Sequence, residues 1–157
     1  SFTNGSSKTS LINIESLYPI SNEKISLLYE ILTEREINES ISHNEMPTLQ
    51  EHRDFISRVP YLEWNIVKDS KNNMIGSYYI SYKGEIGIAI LKKYRRKKYA
   101  TEILKYIINT NENKILYANI NPNNQKSLDL FTKIGFKHIQ TTMKLNVGNI
   151  IPNNSTE

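Results

Sequence analysis

Apolar residues along this chain recur at two different periods, and the switches between them mark out its elements. Residues 11–18 suit a first strand, and Ser21 then caps a helix whose apolar face is Ile25, Leu28, Tyr29 and Leu32. Thr48-Leu-Gln-Glu51 is a capping-box pattern that opens a second helix, with Leu49, His52, Phe55, Ile56 and Val59 toward one side and Pro60 ending it. Residues 63–68 and 74–81 are rich in β-formers, and Asp69-Ser-Lys-Asn-Asn73 between them has the composition of a hairpin turn. Lys83-Gly84 makes a second turn into a strand over 85–91. Ala100, Ile103, Leu104, Ile107 and Ile108 then stand at i, i+3, i+4, i+7 and i+8, one apolar stripe on a helix that runs to Thr110. A strand over 114–120, a break at Asn121-Pro122-Asn123, a helix from Asn124 and a closing strand over 136–145 complete the order β-α-α-β-β-β-α-β-α-β. That order predicts an α+β sandwich, a mixed and mostly antiparallel sheet with helices on both faces.

Composition adds boundaries to this plan. A chain of 157 residues is the size of one domain, expected here over 11–146, with a polar, flexible start at 1–10 and a flexible tail or linker at 147–157. The chain has no cysteine, which excludes disulfides and thiolate chemistry and agrees with a reducing, cytoplasmic setting. Three scattered histidines without cysteine give no metal-ligand spacing, so no metal is expected. The longest apolar runs fall far short of the ~20 residues a membrane-spanning helix needs, and no signal segment opens the chain.

The net charge of +4 is small, but six of the 20 Lys and Arg residues fall between Lys92 and Lys98. Placed where a strand turns into a helix, such a cluster faces amides that have no intrahelical acceptor and the positive end of the helix dipole, a setting suited to a pyrophosphate. With Tyr94 and Tyr99 interleaved it also fits a nucleic-acid patch on a non-enzymatic module. A cluster confined to one loop favours the pyrophosphate, since a polymer track spreads its charge over several elements.

Two blocks carry a family resemblance. Arg95-Arg96-Lys97-Lys98-Tyr99-Ala100 resembles the (Arg/Gln)-x-x-Gly-x-(Gly/Ala) signature of the GNAT N-acetyltransferase superfamily, with Lys98 where the family usually has glycine. Downstream, Asn124-Gln-Lys-Ser127-Leu-Asp-Leu-Phe131-Thr-Lys-Ile-Gly135-Phe136 is similar to the family's second block, with Phe131 where a tyrosine normally stands. The resemblance covers roughly residues 11 to 146. It implies an enzyme that transfers acetyl from acetyl-CoA to a primary amine by direct attack, with two central strands splayed around the cofactor arm. Carried over position by position, it implies cofactor contacts from Ile88 and Ile90 on the cradle strand and from Arg95, Arg96, Lys97, Lys98, Tyr99, Ala100 and Thr101 in the loop and helix start. It further implies contacts from Asn124, Ser127 and Phe131 on the later helix.

The chemistry needs a proton acceptor for the ammonium, an oxyanion donor and an acid for the leaving thiolate. Glu85, at the start of the cradle strand, is the candidate base, with a solvated strand-end glutamate as the alternative. Tyr82 is a weaker candidate whose phenol is better suited to hydrogen-bonding substrate. The Ile88 amide could serve the oxyanion. Phe131 has no hydroxyl, so the acid is absent or moved; Ser127 could order a water in its place. Residues 43–56 resemble GNAT members that acetylate amino sugars on nucleotide carriers, which makes His43, Glu45, His52 and Trp64 candidate substrate contacts. A packed, partly buried imidazole is the alternative at His52. Arg53, Arg58, Tyr61, Trp64, Tyr78, Tyr79 and Tyr82 offer base stacking and phosphate pairing to such a nucleotide-linked amino sugar. Peptide N-termini and small amines are the alternative acceptors, and the protein is expected as a monomer or homodimer.

Overall fold

The computed structural model describes residues 11–38, 46–95 and 98–149. In chain order the elements are β1 (Ile12–Ser16), α1 (Asn22–Asn38), α2 (Leu49–Ser57), β2 (Glu63–Asp69), β3 (Met74–Ile80), β4 (Glu85–Ile90), α3 (Tyr99–Thr110), β5 (Tyr117–Ala118) and α4 (Gln125–Ile134). Short 3₁₀ turns cover Lys92–Tyr94 and Val147–Asn149. Contacts divide the chain into two compact units, one ending at Asn119 and the other beginning at Ile120.

The first unit is built on a five-stranded sheet in the order β1-β2-β3-β4-β5. Its first three pairings are antiparallel and the last, β4 with β5, is parallel. Register decides which side chains share a face, because successive residues of a strand point to opposite sides. Trp64 stands opposite Tyr79 and Tyr79 opposite Gly87, so these three line one face; Asn65, Tyr78 and Ile88 form the neighbouring row on the other. On the first face, Ile25, Leu27, Leu28 and Ile31 of α1 and Ile56 of α2 form a buried cluster with Leu17, Trp64, Ile66 and Leu91. α3 covers the second face with buried Ile103, Leu104 and Ile107, and its Tyr106 ring lies 6.4 Å from that of Tyr78. Each fully buried aliphatic side chain contributes about 1.5–3 kcal/mol, so the two apolar stripes hold the helices to the sheet.

Local chemistry sets the element ends. The Ser21 Oγ accepts from the Lys24 amide at 3.2 Å, as expected of a cap. At α2 both halves of the capping box are present: Thr48 Oγ1 accepts from the Glu51 amide at 3.0 Å and Glu51 Oε1 accepts from the Thr48 amide at 2.8 Å. The helix stops at Ser57, and Val59, directly before Pro60, is held at φ 50, a left-handed conformation costly for a β-branched residue. In the β2–β3 turn the Asp69 carboxylate accepts from the amides of Lys71 and Asn73 and from Asn73 Nδ2. Burial works to raise its pKa, yet these donors outweigh it and hold the carboxyl below its ordinary value.

Two expected strands differ. The run over 114–120 narrows to Tyr117–Ala118, because the turn after α3 extends to Lys114, whose amide donates to Asn111 O at 3.2 Å. Residues 136–145 of the second unit, expected as a closing strand, form none. Period-two alternation makes a strand only where a neighbour takes its backbone hydrogen bonds, and within that unit no second strand is present among the described residues. The unit is organised instead by α4, capped where Asn124 Oδ1 accepts from the Ser127 amide at 3.1 Å and ended by Gly135 at φ 125. Phe131 packs edge-to-face on Phe136 with ring centroids 5.0 Å apart.

Thr48→Ala removes the side-chain half of the α2 capping box and is expected to cost about 1 kcal/mol in denaturant unfolding. A loss near zero would show that the cap is solvated rather than structural.

Candidate active site

The site begins with the hydrogen-bond direction of β4. In an antiparallel ladder alternate residue pairs exchange both bonds while the others turn their polar groups to the far edge. The Ser81 amide donates to Glu85 O at 2.8 Å and the Leu91 amide to Ile75 O at 2.9 Å. Glu85 and Leu91 therefore face β3, and with them Gly87 and Ala89, whereas Ile86, Ile88 and Ile90 direct N–H and C=O toward β5. On that side β5 pairs only with Glu85 and Ile86. Beyond that point, within the first unit, the backbone groups of Ile88 and Ile90 meet no strand, and residues 87–90 are half-buried where Ile86 is buried. The Ile90 carbonyl accepts from Arg95 Nε at 3.1 Å.

At the other end of β4 the chain makes its 3₁₀ turn and enters α3. The first bond of that helix runs from the Glu102 amide to Lys98 O at 3.2 Å, so the amides of Tyr99, Ala100 and Thr101 precede any intrahelical acceptor. Lys98 is the N-cap, at φ 66 and ψ 10, with no side-chain cap bond. A left-handed residue at this position explains why glycine suits the signature; a lysine holds the same geometry at roughly 1–2 kcal/mol. Arg96 and Lys97 lie outside the described residues. An open strand edge leading to free helix-start amides beside basic side chains fits an extended amide arm that ends in a pyrophosphate.

Glu85 is half-buried at the start of β4. Its carboxylate accepts from Ser81 Oγ at 3.4 Å and from Asn119 Nδ2 at 3.3 Å, two neutral donors. Ser81 Oγ also accepts from the Glu85 amide at 3.0 Å, and Gly84, at φ 84, closes the turn between them. Tyr82 is 65% exposed, and its hydroxyl donates to the carbonyl of the strained Val59 at 3.1 Å.

Of the expected substrate contacts, His43 and Glu45 lie outside the described residues. His52 is buried, with its ring 5.6 Å from that of Tyr29, and its Nε2 meets no partner among the described residues. Trp64 is also buried, its ring packed against Phe55 and Tyr61. Asn124, Ser127 and Phe131 belong to the second unit, where Asn124 serves as a helix cap. Register brings out what the sequence did not single out. On the face under α3, Glu63 accepts from both Asn65 Nδ2 at 2.7 Å and the Tyr78 hydroxyl at 2.8 Å. Burial first, and then the Glu63 carboxylate, push the Tyr78 phenol well up. On the opposite face, Tyr79 lies across Gly87. A glycine inside a strand is the sequence signal for such a close approach, though it does not name the partner.

Comparison with known proteins gives a consistent assignment. A family model described as an acetyltransferase (GNAT) domain matches residues 16–137. No curated protein matches. Among solved structures, an N-acetyltransferase from Staphylococcus aureus Mu50 is similar with a TM-score of 0.65 and 19% identity, over 83% of this chain and 86% of its own. A spermidine N-acetyltransferase from Vibrio cholerae, in complex with CoA and spermine, has a TM-score of 0.69 and 16% identity, over 83% of each chain. An acetyltransferase from Thermus thermophilus has a TM-score of 0.63 and 15% identity, over 83% of this chain and 89% of its own. At these identities the likeness is one of fold.

Burial holds the His52 imidazole below its ordinary value near ~6.5. An unfolded chain takes up this proton as pH falls through that value while the folded chain does not, so the stability His52 confers is full above it and declines below. In His52→Leu, stability measured by denaturant unfolding should fall less between about pH 7 and pH 5 than in the wild type. Parallel curves would show that the imidazole titrates freely in the fold.

Proposed function

The chain belongs to the GNAT acetyltransferase family, and from that membership we propose that its acetyl-CoA-dependent N-acetyl transfer is directed to a small primary amine, in a site built on the open edge of β4. The acetyl-CoA thioester supplies an activated acetyl group when bound. The observation that carries the reading is the alternation along β4, which leaves the polar groups of Ile88 and Ile90 without a strand partner where the neighbouring strand departs. In this reading those groups take the amides of the cofactor arm, the amides of 99–101 take its pyrophosphate with Arg95 and Lys98 adding charge, and the Ile88 N–H serves the oxyanion.

Glu85 takes the ammonium proton. Its partners Ser81 and Asn119 are neutral donors that orient the carboxylate without the competing charge of a salt bridge. It lies on the β4 face that also carries Gly87, so acceptor and cofactor meet along one row. Of the aromatics expected to stack a nucleotide base, Trp64 and Tyr78 are buried and Tyr61 is already stacked on Tyr79. That supports a small amine over a nucleotide-linked amino sugar, which Arg53, Arg58 and exposed Tyr82 would have to recognise. The acceptor screen therefore includes polyamines, the ligand class of the Vibrio cholerae structure, beside amino sugars, their nucleotide-linked forms and N-terminal peptides. Turnover confined to nucleotide-linked amino sugars would overturn the small-amine reading.

Two variants test the machinery. Arg95→Glu reverses the charge beside the Ile90 carbonyl and should weaken CoA binding in calorimetry by at least about tenfold, near 1.4 kcal/mol; unchanged affinity would remove Arg95 from the cradle. Glu85→Gln keeps size but not basicity and should lower kcat by roughly 10²–10⁴-fold, with partial recovery at high pH where the amine arrives neutral. Full activity near neutrality would return Glu85 to a structural strand end.

A further inference from the structure

Phe131 stands where the second sequence block normally offers a phenol, so the leaving sulfur needs another proton source. We propose that Tyr79 of β3, lying across Gly87, is that acid. This inference rests on the β4 edge as the acetyl site.

Tyr79 and Gly87 are directly opposed across β3 and β4. A Cβ on Gly87 would stand 2.2 Å from Cε2, 2.3 Å from Cζ and 2.7 Å from the hydroxyl oxygen of Tyr79. The ring is therefore laid along the sheet, hydroxyl included, against the strand whose next residue is Ile88. Any side chain at 87 would lift it away. Tyr61 stacks on the ring from outside, with centroids 3.9 Å apart and planes 7° from parallel. Burial first, and then the neighbouring Tyr79, push the Tyr61 phenol up to about 12, so it keeps its own proton. The Tyr79 phenol is thus clamped between a ring and a glycine, with its reactive end over the backbone of β4 rather than in solvent.

That position is the right one for a thiolate. A carbonyl oxygen bound by the Ile88 N–H has its carbon about 1.2 Å further on and the sulfur one bond beyond. Glu85 and the Tyr79 ring over Gly87 lie on the same face two residues apart, about 7 Å along the strand, so base and acid stand on one side of the strand that holds the acetyl group. The amine, having given a proton to Glu85, forms the C–N bond as C–S breaks. The C–S electron pair leaves on sulfur, where Tyr79 delivers its phenolic proton. Of the two protons left on nitrogen, one is released to water and the other stays as the amide N–H, and the tyrosinate recovers its proton from solvent.

Tyr79→Phe keeps the ring and its stack and removes only the donor. Expected are a fall in kcat of about 10²-fold with little change in acceptor KM and CoA affinity within about twofold in calorimetry. Independent of turnover, the thiol of bound CoA, followed by thiolate ultraviolet absorbance, should titrate about one pH unit higher in the variant, because a hydrogen-bond donor stabilises the thiolate. Incorporating 3-fluorotyrosine at position 79, which acidifies the phenol, should move the alkaline limb of kcat to lower pH. Equal thiol midpoints in wild type and Tyr79→Phe, or an alkaline limb unmoved by fluorination, would overturn the assignment. Failure of the wild-type protein to bind CoA would overturn the β4 cradle and Tyr79 with it, whereas normal CoA binding with equal midpoints strikes Tyr79 alone.

Discussion

Each residue of β4 carries one N–H and one C=O, and an antiparallel neighbour can take both from only every second residue. That constraint governs the molecule. β3 takes Glu85, Gly87 and Ala89, and β5 is close enough to engage only Glu85 and Ile86. A buried polar group without a partner costs free energy comparable to a lost hydrogen bond, and the Ile90 carbonyl avoids that cost by accepting from Arg95 Nε at 3.1 Å.

Parity along the strands distributes the chemistry. Because side chains alternate, Glu85 and Gly87 share a face with Tyr79 and Ser81, while Ile86 and Ile88 share theirs with Tyr78. A slip of one residue between β3 and β4 would exchange the faces, placing Glu85 under α3 and turning the isoleucines toward the face that packs on α1 and α2. The same register that buries the core therefore aims the carboxylate. The polar knot of Glu63, Asn65 and Tyr78 lies on the α3 side, where its members satisfy one another.

Much of this was legible in the residues themselves. The Thr48–Glu51 box, the Ser21 cap and the stripe from Ile103 to Ile107 are local patterns with local causes, and each stands where the pattern put it. The signature's glycine position was also readable as a special backbone site, and Lys98 does adopt positive φ there. Partnership was not legible. Residues 136–145 alternate well, yet alternation does not say which edge will receive a strand. Gly87 carries no such local pattern; only the register and the space above it show that Tyr79 approaches β4 there. His52 sits on an apolar helical face, and the pattern could not distinguish a buried ring from one lining a pocket.

A strand whose neighbour in the sheet stops short can be met by another extended chain. Unpaired N–H and C=O groups in a row are a template on which any extended peptide can add a strand, and proteins ordinarily cover, shorten or charge such edges. Here the basic turn at Lys92–Tyr94 and the Arg95 contact to the Ile90 carbonyl guard one end of the row. In the reading proposed above, the cosubstrate covers the row between Glu85 and that turn. A ligand that binds only the folded chain adds about 2.7 kcal/mol of stability at a hundred times its dissociation constant. If the acetyl donor binds there as proposed, it is also a removable edge strand, and its supply sets how much of the protein stands with that edge open to another chain.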